Sequence, residues 1–297
     1  MKLHLVDATY ELFRAHYAPR PPVHGRDGVP LSGVSGVVEQ LLYLLREEGA
    51  THVGCATDHV IESFRNDLWP GYKSSAGMPA ELIAQFPIVE DAIRALGLVV
   101  WPMVEFEADD AIAAACARFR GDSGVEQVLV CTPDKDMAQL VDDAHVVLFD
   151  RRRRIVYDEA AVIEKWGVRP ASIPDWLALV GDSADGFPGL PGWGAKSAAA
   201  VLFRWTSLEG IPARASEWQV TSLRGGPVLS ATLREHWDEA LLFRSLARLR
   251  TADDGVAIPQ RAVGELEWRG APRATWLGFC DTWGLDRLRD RPHRWLD

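Results

Sequence analysis

The feature that most constrains the fold is the alternation of short apolar runs with stretches of helical pattern over about the first 160 residues. Strands that alternate with helices in this way form parallel sheets, so we expect an α/β architecture for this part of the chain. The runs of strand length are residues 3–6, 52–57, 98–101, 127–131 and 145–149. The helical patterns between them cover residues 33–48, 80–96 and 109–119.

After about residue 160 the pattern changes to helices separated by turns rich in glycine and proline. A long punctuated loop at 186–194 precedes a predicted helix at 195–203, and a further helix is predicted at 236–249. The last ~45 residues hold several tryptophans, which we expect to pack back onto the body. The predicted division is an α/β core over residues 1–170, a helical region over 171–255 and a C-terminal extension over 256–297.

Length, hydropathy and cysteine use point to a protein of the cytoplasm. The 297 residues contain no apolar run close to the ~18 that a membrane helix needs. The N-terminus has the pattern of a strand and lacks the features of a signal peptide. No CxxC pair occurs, so we expect free thiols in a reducing compartment. The four cysteines are Cys55, Cys116, Cys131 and Cys280.

Acidic residues recur where predicted strands end. Asp7 follows the first strand, Asp58 the second, and Asp134 and Asp136 the fourth. Because the carboxyl ends of parallel strands open on one edge of a sheet, these side chains are expected to converge. Other acids stand at the start of the helix predicted around 109–119 and just before the glycine-rich loop at 186–194. The full set is Asp7, Asp58, Glu107, Asp109, Asp110, Asp134, Asp136, Asp182 and Asp185.

Nine carboxylates in one site would repel one another, and divalent cations would relieve that repulsion. Oxygen ligands without histidine or cysteine favour Mg²⁺ or Mn²⁺ over zinc. Two such ions about 4 Å apart would suit phosphodiester hydrolysis. Taken singly, each acid also fits a helix cap or a solvated surface charge.

The blocks that hold these acids resemble those of the bacterial 5′–3′ exonucleases and flap endonucleases, including the N-terminal nuclease domain of DNA polymerase I. One block is the Gly-Asp pair at 181–182 followed by Pro-Gly-Leu-Pro-Gly-Trp-Gly-Ala-Lys at 188–196. Five blocks occur in order and cover roughly residues 3–250. They comprise residues 5–15, 64–82, 107–110, 132–141 and 181–196.

The resemblance implies a PIN-like nuclease core, with a helical arch near residues 70–86, followed by a helix-hairpin-helix-type DNA-binding region. It implies a metal-dependent 5′–3′ exodeoxyribonuclease and 5′-flap endonuclease of DNA replication or repair. One metal ion would be held mainly by Asp7, Asp58, Glu107, Asp109 and Asp110. The other would be held mainly by Asp134, Asp136, Asp182 and Asp185. The residues expected to take part directly in catalysis are Lys73, Asp7, Asp58 and Asp110.

The same resemblance implies contacts with DNA. Lys73 would lie over the scissile phosphate and stabilise developing negative charge. Tyr72 would stack on a base, unless it is a core aromatic. Arg14 and Arg65 would contact phosphates, unless they form surface salt bridges. The glycine-rich loop would bind duplex backbone and a K⁺ ion. Its expected DNA-binding residues are Gly189, Gly192, Gly194 and Lys196.

The sequence departs from the family pattern at two positions. Ala76 stands where arginine is usual, in the arch that receives the 5′ end, and Gly186 stands where asparagine is usual. Neither change removes an expected metal ligand, so we expect activity to survive.

Two rival functions remain open at this point. One is a catalytically silent DNA-junction-binding protein, and the other is an RNA-directed PIN-type ribonuclease. The complete acid set argues against the first, and the glycine-rich loop argues against the second. The expected partner is DNA with a 5′ single-stranded end or flap next to duplex, bound by a monomer.

The formal net charge of −10 does not exclude this partner. Without the nine site acids the charge would be −1, so most of the surplus acid belongs to the predicted metal site. Arginine-rich patches elsewhere can still face a phosphate backbone.

Overall fold

Strands and helices follow one another through residues 1–143, 145–220 and 223–297, which this computed structural model describes. The strands are β1 Lys2–Asp7, β2 His52–Asp58, β3 Val99–Met103, β4 Gln127–Cys131, β5 Val146–Asp150, β6 Ile155–Tyr157, β7 Ala271–Pro272 and β8 Trp295–Leu296. The α-helices are α1 Ala8–His16, α2 Ser32–Arg46, α3 Phe64–Leu68, α4 Ala80–Ile83, α5 Gln85–Ala95, α6 Ala108–Phe119, α7 Glu159–Trp166, α8 Ile173–Val180, α9 Ala195–Trp205, α10 Gly226–Glu235, α11 Trp237–Ala247 and α12 Arg273–Trp283. Short 3₁₀-helices are Arg26–Gly28, Asp136–Leu140, Pro170–Ser172, Leu208–Gly210, Ala215–Glu217, Ala252–Asp254, Val263–Leu266 and Asp286–Leu288.

The chain divides into two compact units, and neither is a single continuous stretch of sequence. Unit 1 consists of Met1–Ile61, Ser75–Thr132 and Arg250–Asp297. Unit 2 consists of Glu62–Ser74 and Pro133–Leu249. The linear domain boundaries expected near residues 170 and 255 stay a prediction.

Unit 1 is built on four parallel strands in the order β3-β2-β1-β4. β1 and β2 are buried along nearly their whole length, which is typical of a parallel sheet. Their register pairs Asp7 with Ala56, so that β1 and β2 end close to each other. The prediction of an α/β fold with a mostly parallel sheet is confirmed.

One predicted helix is wrong in detail, because residues 80–96 form two helices, α4 and α5. The break falls at Ala84, which ends one helix and precedes the next. Pro87 stands in the first turn of α5 and has no N–H to donate to the carbonyl of Ile83. A continuous helix would require that hydrogen bond, and proline would also clash with this carbonyl.

Unit 2 combines the antiparallel pair β5–β6 with a helical region. Within it α8 packs against both α11 and α9. Trp218 is fully enclosed, and its indole N–H donates to the Pro212 carbonyl at 2.7 Å. The helices predicted at 195–203 and 236–249 are present as α9 and α11.

The tryptophan-rich C-terminal segment packs within unit 1. α12 contacts α5, and Trp276 on α12 is completely buried. The indole of Trp268 donates to the Leu96 carbonyl at 2.8 Å, directly after α5. Of the helices in the described ranges, none combines the length and apolar character needed to cross a bilayer.

All four cysteines are free thiols and are buried. Burial raises the pKa of the Cys116 thiol to about 12, and Arg120 only partly opposes this effect. Burial likewise raises the pKa of Cys280 to about 12. The thiolate is the reactive form of cysteine, so both side chains are chemically quiet in the folded protein.

We expect Cys116 and Cys280 to react with Ellman's reagent only after unfolding, because neither is accessible or ionised near neutral pH. Titration in native buffer and then in guanidinium chloride checks this, and Cys280→Ser assigns the signal. Fast modification of either thiol in native buffer would contradict the burial described for it.

Candidate metal centre

The nine predicted acids fall into two groups, one in each unit. The first acid group is placed by the ends of β1 and β2 and by the start of α6, and the second by residues 134–136 and the loop after α8. The first acid group is Asp7, Asp58, Glu107, Asp109 and Asp110. The second acid group is Asp134, Asp136, Asp182 and Asp185.

Asp7 ends β1 and also caps α1. Its Oδ1 accepts a hydrogen bond from the Tyr10 N–H at 2.8 Å, as an N-cap carboxylate does. Its Oδ2 accepts from the Thr132 hydroxyl at 3.2 Å. The side chain is buried and therefore held in one orientation at the strand end.

Asp58 ends β2 and connects it to the start of α6. Its Oδ1 accepts from the Ala108 N–H, the first residue of that helix, at 2.7 Å. Glu107 and Asp110 form a reciprocal capping box, in which the Glu107 N–H donates to Asp110 at 3.0 Å. Asp109 lies half-buried in the same first turn. The helix dipole favours carboxylates at this end, so a single local structure gathers four of the five acids.

The second acid group forms a tight cluster. Asp136, Asp182 and Asp185 each offer a carboxylate oxygen, and the three oxygens lie within 4.8 Å of one another. Asp136 is 6% exposed and Asp182 is 3% exposed. Asp134 is exposed, and its Oδ1 accepts from the Asp136 N–H at 3.1 Å. Their spacing is close enough for the three side chains to hold one metal ion together.

The electrostatics of this cluster favour a cation. Burial raises the pKa of Asp136 well above its usual range, and the negative charges of Asp134, Asp185 and Asp182 raise it further. Its Oδ1 is buried and has no hydrogen-bond partner within the described part of the chain. An all-carboxylate donor set with an unsatisfied buried oxygen fits a hard divalent cation such as Mg²⁺ or Mn²⁺.

Two lysines partly compensate the charge of this cluster. Lys135 forms an ion pair with Asp182. Burial would lower the pKa of the Lys135 ammonium, but the Asp182 hydrogen bond and the nearby carboxylates outweigh burial and raise it. Lys73 Nζ lies 3.3 Å from Asp185 Oδ1, and its backbone N–H donates to the Asp185 carbonyl at 3.0 Å. Lys73 was predicted from the sequence to lie near the reacting phosphate, and the structure places it at a predicted metal ligand.

Lys135 is a residue that the sequence reasoning missed. The signal was available, since Lys135 is one of only five lysines in the chain and stands between two predicted ligands, Asp134 and Asp136. A scarce lysine between two carboxylates indicates local charge compensation.

Three residues predicted to contact DNA are instead engaged in contacts within the protein or buried in it. Arg65 is 2% exposed, and its guanidinium donates to the backbone carbonyls of Leu246 and Arg248. Tyr72 is 4% exposed. Arg14 forms an ion pair with Glu11 on α1. Their contacts with DNA stay predictions, and the burial of Arg65 and Tyr72 favours a packing role over a phosphate or base contact.

In the glycine-rich loop one predicted DNA-binding glycine is buried and two are exposed to solvent. Gly189 is buried with φ +69°, and a Cβ there would lie 2.3 Å from the Gly181 nitrogen. Because glycine has no side chain, the loop backbone at Gly189 can pass close to the backbone at the end of α8. Gly192, Gly194 and Lys196 are exposed at the start of α9. These three are placed where a phosphate could approach the helix N-terminus.

Gly186 allows the backbone at residues 69–73 to lie against the loop after α8, which holds Asp182 and Asp185. Its φ is +85°, and an added Cβ would lie only 2.0 Å from the Gly71 carbonyl oxygen. The indole of Trp69 donates to the Gly186 carbonyl at 3.0 Å. Together with the hydrogen bond from the Lys73 N–H to the Asp185 carbonyl, this contact fixes Lys73 beside the second acid group.

Comparison with known families identifies the chain. Residues 2–167 match the model of the 5′–3′ exonuclease N-terminal resolvase-like domain, and residues 168–265 match that of the 5′–3′ exonuclease C-terminal SAM fold. The chain belongs to the 5′–3′ exonuclease family. The resemblance inferred from the motifs is therefore confirmed.

Curated relatives of this exonuclease-family chain include two polymerases and one exonuclease. DNA polymerase I of Rhizobium leguminosarum is 37% identical over 297 residues, which is 97% of this chain and 28% of the relative. DNA polymerase I of Mycobacterium leprae is 37% identical over 83% of this chain and 27% of the relative. The 5′–3′ exonuclease of Aquifex aeolicus is 31% identical over 70% of this chain and 71% of the relative. The chain thus spans about a quarter of the length of the polymerase relatives.

Solved structures share the fold. The bacteriophage T5 flap endonuclease, in a pseudo-enzyme–product complex with DNA and metal ions, matches with a TM-score of 0.65 at 20% identity. That match covers 90% of this chain and 96% of the other. The catalytic core of Rad2 in complex with DNA substrate matches with a TM-score of 0.61 at 15% identity, covering 95% and 87%. At these identities the likeness establishes the fold of this exonuclease-family member.

We expect Asp136→Asn to stabilise the metal-free protein at pH 7. Because the pKa of the folded carboxyl is raised, the folded state binds the proton more tightly than the unfolded chain. The free energy of unfolding therefore falls as pH rises from the usual carboxyl range through the folded pKa, and the substitution removes this loss. A stabilisation of about 1 kcal/mol would raise the thermal midpoint by roughly 2–4 °C.

The same variant should lose much of the stabilisation that Mn²⁺ or Mg²⁺ gives the wild-type protein. Thermal unfolding with EDTA and with each metal measures both effects. Glu164→Gln, an exposed acid on α7 of the same unit, is the matched control for the charge change. A lower metal-free midpoint with an unchanged metal response would contradict the role given to Asp136.

We expect Gly186→Ala to destabilise the protein by about 2–4 kcal/mol, because the new Cβ meets a backbone oxygen at a left-handed position. Gly121→Ala is the control, since no atom lies within 4 Å of its added Cβ. Urea midpoints measure the difference. Equal midpoints for the two variants would show that Gly186 is not needed for this contact.

Proposed function

We propose that this chain is a metal-dependent, structure-specific 5′ nuclease that hydrolyses DNA phosphodiester bonds as a 5′–3′ exonuclease and a 5′-flap endonuclease. The observation that carries the proposal is the buried cluster of Asp136, Asp182 and Asp185 in a chain of the 5′–3′ exonuclease family. Relatives described in complex with DNA and metal ions, or with a DNA substrate, support DNA as the partner.

The proposed cofactors are two Mg²⁺ or Mn²⁺ ions, one for each acid group. When bound, the ions would supply Lewis-acid stabilisation of the charge that develops during phosphodiester hydrolysis. The first acid group is already oriented by backbone N–H donors at Asp7, Asp58 and Asp110. The second acid group supplies the unsatisfied oxygen of Asp136.

Lys73 is proposed to act on the scissile phosphate. Its backbone is held by the Asp185 carbonyl, while its side chain is paired with the Asp185 carboxylate. If the Asp185 carboxylate binds a cation, the Lys73 ammonium is released from this ion pair and can donate a hydrogen bond to a nearby phosphate oxygen. An ammonium whose backbone is held at this position would stabilise negative charge as it develops, which is the general form of electrostatic catalysis.

The exposed start of α9 is proposed to hold duplex DNA. Gly192 and Gly194 let a phosphate approach the backbone, and Lys196 adds a positive charge in the first helical turn. We include a K⁺ ion in this loop as part of the proposal. Contacts of this type bind backbone without reading sequence, which suits an enzyme that recognises a structure.

The biological setting is also a proposal. The DNA polymerase I relatives suggest replication or repair. A cytoplasmic monomer is proposed, and the four free cysteines suit a reducing compartment.

A 5′-flap DNA labelled at each end tests the activity. With Mg²⁺ we expect cleavage at or near the junction, leaving a 5′-phosphate, and we expect Asp134→Asn to lower kcat/KM by about 100-fold or more. Glu164→Gln should cleave like the wild type. Product lengths on a denaturing gel give the balance of exonuclease and flap cleavage.

Two outcomes would reject the proposal. Wild-type protein that binds the flap without cleaving it would point to a silent junction-binding protein. Faster cleavage of an RNA flap of identical sequence would point to a PIN-type ribonuclease.

A further inference from the structure

The side chain of Gln139 connects the short helix that carries Asp136 to residues 246–249, here called the α11 end. Its Nε2 donates to the Asp136 carbonyl at 2.8 Å and to the Ala247 carbonyl at 3.0 Å. Its Oε1 accepts from the Leu249 N–H at 3.1 Å. The amide therefore uses both of its N–H donors and its acceptor oxygen on backbone groups of unit 2.

This full use of the amide shows how Gln139 can act. The side chain is half-buried, and both N–H donors are committed to backbone carbonyls. A hydrogen bond from Gln139 to a phosphate oxygen or a base would take a donor away from one of these carbonyls, which is unfavourable where the carbonyl is buried. Any effect of Gln139 on the metal cluster is therefore exerted through the backbone of Asp136.

The backbone of Asp136 is held by side chains on both sides of its Cα. Its N–H donates to Asp134 Oδ1 at 3.1 Å, and its carbonyl accepts from Gln139. Asp134 is itself a predicted ligand, so a cation would compete with the N–H for its carboxylate. Gln139 carries no charge and is not a predicted ligand, so its hold on Asp136 needs no change when a cation binds.

The α11 end is a buried support. Leu246 and Ala247 are 1% exposed, and Leu249 is 7% exposed. The carbonyls of Leu246 and Arg248 accept from the guanidinium of Arg65 on α3. The last carbonyls of a helix have no partner inside that helix, so side chains from two separate segments satisfy those of α11. These hydrogen bonds dock both segments on the same helix end.

The same helix supports the other acids of the tight cluster. α8 packs against α11, and Arg244 on α11 lies 3.2 Å from the buried carboxylate of Asp175 on α8. α8 leads directly into the loop that holds Asp182 and Asp185. α11 therefore supports two acids through α8 and the third through Gln139.

Support of this kind matters because the cluster opposes its own geometry. The carboxylate oxygens of Asp136, Asp182 and Asp185 lie within 4.8 Å of one another, and like charges at this spacing repel. Mg²⁺ requires its oxygen ligands in a nearly ideal octahedral arrangement, so a small displacement of one ligand weakens binding. An uncharged amide fixed to a helix end can resist that displacement.

We propose that Gln139 is a positioning residue for the metal-dependent cleavage, which holds the backbone of Asp136 on the α11 end and so keeps its carboxylate in register with Asp182 and Asp185. The inference rests on the proposed function for the reaction that it serves. It extends the site from the acids themselves to an uncharged residue that touches neither the ion nor DNA.

Metal binding without DNA gives the first test. Gln139→Met keeps the length of the side chain and removes its hydrogen bonds, so we expect Mn²⁺ binding at the second acid group to weaken about 10-fold. Electron paramagnetic resonance of the free ion measures this affinity. Asp136→Asn identifies the affected step of the titration. Gln139→Asn keeps the amide but shortens its reach by one methylene, and it should show the same loss in a milder form.

A control variant separates this role from general stability. Ser230 on α10 is buried, and its hydroxyl donates to the Ala213 carbonyl at 2.6 Å. Ser230→Ala removes this hydrogen bond elsewhere in unit 2, so it should lower the thermal midpoint and leave Mn²⁺ affinity unchanged. Wild-type Mn²⁺ affinity in both Gln139 variants, or an equal loss in Ser230→Ala, would overturn the proposal.

Flap cleavage gives the second test. At a Mg²⁺ concentration below saturation, kcat of Gln139→Met should fall about 10-fold, while KM for the flap changes less than about 2-fold. This split is expected because the variant displaces a metal ligand and removes no DNA contact. A larger change in KM than in kcat would indicate a DNA contact and would contradict the positioning role.

The two proposals can fail separately. Flap cleavage by the wild type, together with wild-type Mn²⁺ affinity and kcat in Gln139→Met, would reject only the positioning role. A protein that never cleaves, but whose Mn²⁺ affinity depends on Gln139, would retain the positioning of Asp136 and reject the nuclease.

Discussion

The burial of several carboxylates beside one another is the constraint on which unit 2 depends. Asp136 and Asp182 are almost completely enclosed, and every neighbouring acid makes the charged form of Asp136 harder to maintain. The backbone resists the resulting repulsion through local hydrogen bonds, such as that from the Ala184 N–H to Asp182. Lys73 and Lys135 add positive charge at the two sides of the cluster. The architecture therefore brings together groups that would otherwise separate.

The two acid groups meet this constraint in different ways. In the first acid group, Asp7 and Asp58 accept hydrogen bonds from backbone N–H groups at helix starts. The helix starts therefore orient these carboxylates and stabilise their negative charge. In the second acid group, lysine side chains provide much of the compensation. Backbone donors are fixed, whereas ammonium groups on long side chains can move away. The second acid group is thus the one whose surroundings can rearrange when a ligand arrives.

The sequence predicted the architecture well because its signals were local. Periodic apolar runs located the strands of the parallel sheet, and the glycine-rich loop located α9. Pro87 broke a predicted helix because one missing N–H outweighed a favourable helical pattern. The acids of the cluster could be named from motifs, but the ion pair of Lys135 with Asp182 depends on two distant segments. The burial of Arg65 likewise depends on carbonyls that lie about 180 residues further along the chain, which periodicity cannot reveal.

The interleaving of the two units has a consequence for the order in which the protein can fold during synthesis. Unit 1 includes Arg250–Asp297, and Trp268 and Trp276 complete its packing around α5. Every residue of unit 2 has been translated by position 249, before this segment emerges. Domains generally fold as units during translation. Unit 1 is therefore completed only after unit 2 has been fully translated, when the segment that carries Trp268 and Trp276 has been synthesised.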